Sequence, residues 1–160
     1  DVVGVHRIYL TPGGMKAPIS PNKMMIGQCA GGAVRLRDGV STPHLGICEG
    51  IETGLAIMQA HPGLNVWATL STSGMRSVDI PSTYHKVTIF ADFDERIDRP
   101  GTPHHGQRPG TMAAEALQAK LESNGRLVQI VYPRSGINDF NDELIADSQI
   151  QFGRSVEHPT

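Results

Sequence analysis

The chain has 160 residues, about the length of one domain, and its 39% hydrophobic content is enough to fill one core, which excludes wholesale disorder. The formal net charge of −2, from 14 Lys and Arg against 16 Asp and Glu, excludes a protein that coats DNA by bulk positive charge. The sequence has neither the long apolar run of a membrane span nor the opening of a signal peptide, so we expect a cytoplasmic protein that does not enter a membrane.

The cysteines and the first residue add two further expectations. Cys29 and Cys48 stand apart rather than in a CxxC pair, so neither a zinc knuckle nor a disulfide scaffold is expected. The chain opens at Asp1 without an initiator Met, which indicates a domain excised from a longer protein.

The N-terminal part predicts a small β-rich lobe. Residues 2–10 alternate loosely between apolar and polar, and the turn signal Thr11-Pro12-Gly13-Gly14 that follows predicts a hairpin. Short extended pieces broken by Pro and Gly continue to Leu36, and residues 38–43 indicate a linker. Because so short a segment rarely folds alone, we predict that residues 1–43 form a lobe attached to a larger core.

The pattern then changes to alternating strands and helices. Strands are predicted over residues 45–48, 65–70, 86–91 and 127–132, helices over 51–60, 111–121 and 139–146, and a turn over 71–75. This order is typical of a parallel sheet with crossover helices. We therefore predict an α/β core over residues 44–147 and a C-terminal tail over 148–160. The polar segment 95–110 is long for a loop in a compact domain, which indicates a functional or mobile segment.

Acidic side chains follow three of the predicted strands. Glu49 follows the first strand of the core, Asp92 and Asp94 follow the third, and Asp139 comes after the last. Because the carboxyl ends of parallel strands lie at one edge of a sheet, these carboxylates converge there and repel each other unless they share a cation. Oxygen ligands without His or Cys favour Mg²⁺, for which Mn²⁺ can substitute. The sequence therefore predicts a divalent-metal site at this edge.

Each acidic motif also has a structural interpretation. An Asp-x-Asp after a strand often caps a turn, and an acid at a helix start stabilises the helix dipole. The segment Asp139-Phe140-Asn141-Asp142 can be the N-cap of the last helix. The three motifs together, in this order, favour the metal site.

The order strand–EGxxT–helix, then strand–DxD, then a later acidic motif resembles a Toprim domain, the fold shared by bacterial-type primases, type IA and II topoisomerases and certain nucleases. The chain is most similar to the primases and primase–helicases of phages, plasmids and other mobile elements. The segments that carry this resemblance span residues 6–144 and are VHRIYL, GGMKA, GGAVRL, CEGIETGLA, VTIFADFD, AAEALQAKL and DFND. The resemblance implies a Toprim-like, Rossmann-like parallel sheet flanked by helices, with a small N-terminal β-rich lobe.

The resemblance also implies roles for the acids. Glu49 corresponds to the family's catalytic glutamate, Asp92 and Asp94 correspond to its metal-binding pair, and Asp139 stands where primases place a further acid. The implied activity is metal-dependent nucleotidyl transfer in DNA replication, in which primers are made from nucleoside triphosphates on a single-stranded DNA template. In that reaction Glu49 would be the general base toward the attacking hydroxyl.

The chain departs from the family pattern at two places. Asn138 precedes Asp139 where primases usually have Lys, so one cation is missing. Thr53 stands where many Toprim proteins have a second acid, with Glu52 one place earlier, which leaves the number of bound metals open.

Charge is distributed unevenly along the chain. Residues 1–37 carry five basic side chains and one acid, and residues 139–157 carry five acids and one Arg. The basic residues predicted to face the template or the triphosphate are Lys16, Lys23, Arg35 and Arg37. The resemblance to this branch also implies neighbouring zinc-binding or helicase domains in the parent chain.

Other functions remain open from the sequence. The same carboxylates serve a Toprim nuclease or a topoisomerase-like phosphodiester enzyme, for which Tyr9, Tyr84 and Tyr132 are the candidate nucleophiles. A non-catalytic, metal-stabilised nucleic-acid-binding module is also compatible with them. A phosphatase of the haloacid-dehalogenase type is disfavoured, because Arg96 stands two residues beyond the Asp-x-Asp pair, where that family has Thr or Val.

Overall fold

The structure is a computed structural model that describes residues 2–93, 98, 101, 106–137 and 139–154, with side chains to residue 147. Its strands are β1 (Gly4–Ile8), β2 (Lys23–Gly27), β3 (Val34–Arg37), β4 (His44–Cys48), β5 (Asn65–Ala68), β6 (Lys86–Phe90) and β7 (Leu127–Val131). Its helices are α1 (Ile51–Ala60), α2 (Thr72–Ser77), α3 (Pro109–Ser123) and α4 (Phe140–Arg154). The strands form a two-stranded sheet, β1-β2, and a five-stranded sheet in the order β3-β5-β4-β6-β7.

The larger sheet is parallel over β5, β4, β6 and β7, which confirms the predicted α/β architecture with crossover helices. Its remaining strand, β3, is antiparallel to β5 and pairs Val34 with Ala68. The sequence did not predict this pairing, because a four-residue strand inside the β-rich first segment has no local feature that selects its partner. The sheet is therefore mixed, with an antiparallel edge strand.

Helices cover both faces of this sheet. On one face, α2 and α3 pack over a core that contains Trp67, Ile89 and Leu117. On the other face, α1 and α4 enclose a second core around Ile57 and Phe90. The β-branched and apolar strand sequences suit this arrangement, since a parallel strand that is covered on both sides has no solvent face.

Close approach between α1 and the sheet depends on a glycine in the helix. A Cβ on Gly54 would lie 2.3 Å from Cδ1 of Leu36 and 3.1 Å from Sγ of Cys48. The absence of a side chain thus lets α1 contact β3 and β4 and sets the helix start close to the carboxyl end of β4.

Helix boundaries differ from the predictions in three places. Residues 71–75, predicted as a turn, begin α2 instead, and the Ser71 hydroxyl caps this helix by accepting from the Gly74 amide at 3.0 Å. Helix α3 begins two residues before the predicted start, with Pro109 at its first position, where a missing N–H costs little. Helix α4 continues to Arg154, beyond the predicted end at residue 146.

The N-terminal lobe contains the β1-β2 antiparallel pair, with Gly4 opposite Gly27 and Ile8 opposite Lys23. The predicted turn at residues 11–14 is present, since the Gly14 amide donates to the Thr11 carbonyl at 2.9 Å. It is followed only by an isolated bridge between Leu10 and Lys16 rather than by a full hairpin strand. The second strand thus begins later than the turn signal indicates.

No helix in the described part of the chain has both the length and the apolarity to cross a membrane.

Leu117 is a residue of α3 that is fully buried against the sheet. Replacing it by Ala should therefore lower the free energy of unfolding by about 2–5 kcal/mol, because of the cavity that the substitution leaves. The control is Leu55→Ala, because Leu55 is also helical but is 52% exposed, and its loss should cost only about 0.5 kcal/mol. Urea unfolding of both variants measures the difference. Equal losses would contradict the packing of α3 on the sheet.

Candidate functional site

Two acids leave adjacent strands at the carboxyl edge of the sheet. Strands β4 and β6 are parallel, with Cys48 opposite Phe90, so Glu49 and Asp92 emerge next to each other from strands that lie about 4.8 Å apart. Both side chains are half-buried. The structure therefore brings together two of the four acids that the sequence singles out.

The negative charges of both acids affect the pKa of the Cys48 thiol. Cys48 is fully buried, and burial is the main cause of the raised pKa of its thiol, to which the negative charges of Asp92 and then Glu49 add. The thiol donates to the Gly50 carbonyl at 3.3 Å. Both carboxylates therefore act on one point just beneath the sheet edge.

The backbone around Glu49 is held by β5. The Thr69 amide donates to the Cys48 carbonyl at 2.9 Å, and the Leu70 amide donates to the Glu49 carbonyl at 2.8 Å. These bonds continue the β4-β5 ladder beyond the last strand residue. They hold Glu49 at a defined height above the sheet while Gly50 turns the chain into α1.

The chemistry of the donors at this edge fits a hard divalent cation. Glu49 and Asp92 offer carboxylate oxygens, and Mg²⁺ prefers a few such ligands while it keeps several waters. Asp94, the predicted partner of Asp92, lies outside the described residues. Within residues 2–93, 98, 101, 106–137 and 139–147, no three His, Cys, Asp or Glu side chains form a group that could hold a metal.

Asp139 has a structural role that the sequence left open. Its Oδ1 accepts from the Asp142 amide at 2.8 Å, so it caps the start of α4. Among the described residues, Glu49, Asp92 and Asp139 do not form a group of three that could hold a metal. Its assignment as a metal ligand stays a prediction.

One basic residue of the lobe, Lys16, lies beside the start of α1. Nζ of Lys16 lies 3.9 Å from Oε1 of Glu52 in the first turn of α1, and both side chains are substantially exposed. Lys23 and Glu52 also act in opposite directions on the pKa of His6, which is lowered mainly by burial. The lobe therefore carries positive charge toward the helix that starts after Glu49.

The other two predicted contacts to nucleotide or template lie elsewhere. The Arg37 guanidinium donates to backbone carbonyls at the end of α1 and in the loop after it, those of Met58, His61, Pro62 and Leu64. Arg35 lies over the Trp67 ring, 4.6 Å from its centroid, and donates to Asp38 at 3.2 Å. Arg37 is thus at the amino edge of the sheet, away from Glu49. The nucleotide-binding roles of both residues stay predictions.

A further cation near the acids was not predicted. The Arg108 guanidinium lies over the ring of Phe93, 3.8 Å from its centroid, and donates to the Phe93 carbonyl at 3.4 Å. Phe93 directly follows Asp92 and makes an edge contact with Tyr132. The signal available in the sequence was the length of the 95–110 segment, to which Arg108 belongs. His104 and His105 of that segment lie outside the described residues.

The candidate tyrosine nucleophiles differ in position. Tyr84 is buried at the amino end of β6, and its hydroxyl donates to Oδ1 of Asp38 at 2.5 Å. Burial and this hydrogen bond raise its pKa to about 12. Tyr84 is therefore at the opposite edge from Glu49 and is poorly suited to attack a phosphodiester. Tyr132 follows β7 at the same edge as the acids and is partly exposed.

The two cysteines should differ in reactivity, because Cys29 is half-buried whereas Cys48 is fully buried with a raised thiol pKa. At pH 8, iodoacetamide should alkylate Cys29 at least about tenfold faster than Cys48, since the thiolate is the reacting species. Peptide mass spectrometry of the time course measures both rates. Unfolding in urea is the control and should make the two rates similar; equal rates in the folded protein would contradict the burial of Cys48.

Comparisons with known proteins agree with this geometry. Residues 44–149 match the family described as the Toprim domain, which covers more than half of the chain, so the chain belongs to the Toprim domain family. Residues 1–36 match DUF7146, a domain of unknown function. A search of curated proteins found no match.

Among solved structures, the chain is similar to the crystal structure of the primase fragment of the bacteriophage T7 primase-helicase protein. The TM-score is 0.57 at 14% sequence identity, and the match covers 96% of this chain and 62% of that one. The chain thus spans less than two thirds of that fragment. At this identity the likeness is one of fold, and it extends over both the lobe and the core.

Proposed function

We propose that this chain is the catalytic Toprim domain of a phage-type DNA primase, which joins nucleoside triphosphates into primers on single-stranded DNA. The observation that carries the proposal is that Glu49 and Asp92 follow the carboxyl ends of adjacent parallel strands. The fold likeness to a primase fragment supports it because that likeness includes the lobe as well as the Toprim core.

The acids at the sheet edge have different roles in the proposed nucleotidyl transfer. The primer's 3′-hydroxyl attacks the α-phosphorus, the bond to the pyrophosphate leaving group breaks, and the Glu49 carboxylate accepts the hydroxyl proton. Asp92, with Asp94, would hold Mg²⁺ or Mn²⁺, which when bound offsets the negative charge of the triphosphate. Lys16 extends from the lobe toward the start of α1 and, with Lys23 of the same lobe, would provide positive charge for the triphosphate or the template.

A Toprim nuclease is the main alternative, since the same acids can activate water instead of a primer hydroxyl. A metal-stabilised nucleic-acid-binding module is the other. The lobe favours synthesis, because a second surface beside the acids gives the incoming nucleotide a place that simple hydrolysis does not need. We expect this function in the cytoplasm, alongside the DNA being replicated.

The test uses the full protein that carries this domain, because zinc-binding or helicase neighbours are expected to contribute to template binding. Single-stranded DNA, four ribonucleoside triphosphates and Mg²⁺ are incubated with it, and labelled dinucleotides and longer primers are resolved. A parallel reaction follows degradation of 5′-labelled single-stranded DNA. Primers without degradation are expected. Degradation without primers would identify a nuclease, and DNA binding with neither product would identify a binding module.

A further inference from the structure

Asp92 lies just beyond the hydrogen-bonded ladder between β6 and β7. In the described part of the chain, the ladder continues past β6 as far as the Ala91 amide, which donates to the Val131 carbonyl at 3.0 Å. Pro133, two residues after Val131, has no N–H and cannot donate the next bond. Contacts other than this ladder must therefore hold the backbone at Asp92 and after it.

Arg108 makes two such contacts with Phe93, the residue after Asp92. Its guanidinium carbon lies 3.8 Å from the centroid of the Phe93 ring, where the negative face of the ring attracts a cation. Its Nη1 also donates to the Phe93 carbonyl at 3.4 Å. One side chain thus contacts both the ring and the backbone of the residue that follows Asp92.

Arg108 is itself held at the start of α3. Its carbonyl accepts from the Met112 amide at 3.0 Å, and its side chain does not cap the helix. Gly110 and Ala113, in the first turns of α3, are buried, and Ala113 belongs to the core beneath the helix. The guanidinium therefore extends from a backbone that is packed on the sheet.

The position of the Phe93 ring depends on a small number of contacts. The side chain is 42% exposed, so burial alone does not fix it. Its other aromatic contact is an edge interaction with Tyr132, at 6.3 Å between centroids and 79° between ring planes. Removal of Arg108 would leave the ring with much less to define its place.

We propose that Arg108 is a positioning residue for the divalent metal, which keeps Asp92 beside Glu49 by holding Phe93. The inference rests on the proposed function, which assigns Asp92 to the metal. Glu49 and Asp92 follow adjacent strands and carry like charges, so they repel each other when no cation is bound. A contact that holds the chain after Asp92 opposes this separation, and groups that orient metal ligands contribute about 10–100-fold to metal affinity.

Two effects of opposite sign make this inference testable. The positive charge of Arg108 repels a divalent cation at the same edge, so its removal would strengthen metal binding if charge were its only influence. Its hold on Phe93 strengthens metal binding, so its removal should weaken it. The direction of the change therefore distinguishes a positioning residue from a nearby charge.

The test is isothermal calorimetry of the 160-residue chain with Mn²⁺. Arg108→Gln should weaken Mn²⁺ binding at least about tenfold. Phe93→Leu removes the ring without a change of charge and should weaken binding to a similar extent. Phe93→Tyr keeps a ring for the guanidinium, and its affinity should stay within about twofold of the wild type.

Arg126→Gln is the matched control. Arg126 also donates to a backbone carbonyl, that of Ile80 at 2.6 Å, but it precedes β7 at the amino edge of the sheet. This variant should leave Mn²⁺ binding unchanged. Asp92→Asn should remove most of the binding heat, which shows that the heat comes from this edge. Thermal melts should show that all five variants are folded.

A second measurement separates positioning of the metal from contact with the substrate. In the full protein, Arg108→Gln should raise the Mg²⁺ concentration for half-maximal primer synthesis at least about tenfold. The rate at saturating Mg²⁺ should stay within about twofold of the wild type. A lower rate at saturating Mg²⁺, or a raised KM for the triphosphates, would instead mean that Arg108 contacts the substrate, and would overturn its role as a positioning residue.

Unchanged or tighter Mn²⁺ binding by folded Arg108→Gln would overturn the inference, as would wild-type affinity in Phe93→Leu. Both results leave the proposed function standing if primers are still made. A wild type without a saturable Mn²⁺ site that depends on Asp92 would reject the metal role of Asp92 and this inference together. The expected pattern of Mn²⁺ affinities without any primer synthesis would reject the proposed function and retain the role of Arg108.

Discussion

Replacing Glu49 by Gln is expected to reduce primer synthesis by about 10²–10⁴-fold, the usual contribution of a positioned general base. Glutamine keeps the size and hydrogen-bonding reach of the side chain but cannot accept the proton of the attacking hydroxyl. The backbone of Glu49 is held by the Leu70 amide, so the substitution should leave the strand end in place. Dinucleotide formation by the full protein on single-stranded DNA with Mg²⁺ is the measurement.

Glu52→Gln is the matched control for this variant. Glu52 lies in the first turn of α1, three residues after Glu49, but its carboxylate faces Lys16 at 3.9 Å and is substantially exposed. Its loss should therefore reduce synthesis less than the loss of Glu49. A folded Glu49→Gln protein with full activity, as judged by an unchanged thermal melt, would reject Glu49 as the base and would favour the binding-module alternative.

Replacing Asp92 and Asp94 together by Asn should weaken Mn²⁺ binding at least about a hundredfold. Even groups that only orient metal ligands contribute about 10–100-fold, and these two residues are proposed as ligands themselves. Isothermal calorimetry of the wild type should show a weak saturable site, because a hard cation at an open edge keeps several waters. The double variant should show no saturable heat at the same concentrations.

The same double variant should melt at a higher temperature than the wild type when EDTA is present. Glu49 and Asp92 both add negative charge beside the Cys48 thiol, so removing charge there relieves repulsion between like groups. Asp79→Asn is the control, since Asp79 is exposed and 3.9 Å from Lys120, and it should leave Mn²⁺ binding unchanged. An unchanged isotherm in the double variant would mean that the metal binds at another place.

The N-terminal lobe adds a cation and an apolar surface to the acids at the edge of the sheet. Lys16 extends from it to the start of α1, and His6 and Met25 line a cavity between the lobe and the carboxyl end of β5. A Toprim core offers acids at the ends of strands, but binding a nucleotide also needs a surface for the base. In this chain the lobe lies against the β5-α2 connection, so a second surface stands beside the acids.

The sequence alone determined the α/β core and the place of its acids. Strands such as residues 86–90 are rich in apolar and β-branched residues, and a parallel connection must return over the sheet through a helix, so the parallel sheet and its common carboxyl edge follow from local pattern. The position of Glu49 after β4 and of Asp92 after β6 could be predicted for that reason. The helix over Ile51–Ala60 was predicted at its observed bounds for the same reason, since its apolar spacing is local.

Only the tertiary structure decided how distant segments are used. Arg37 carries the same charge as Lys16, yet its guanidinium binds four backbone carbonyls near the end of α1, while Lys16 faces the start of that helix. The pairing of β3 with β5, and the cavity between the N-terminal lobe and β5, likewise join residues that lie far apart in the chain. Composition and spacing show which groups a segment carries, but long-range packing selects their partners. The difference between an arginine bound to backbone carbonyls and a lysine beside the start of α1 therefore arises only in the folded chain.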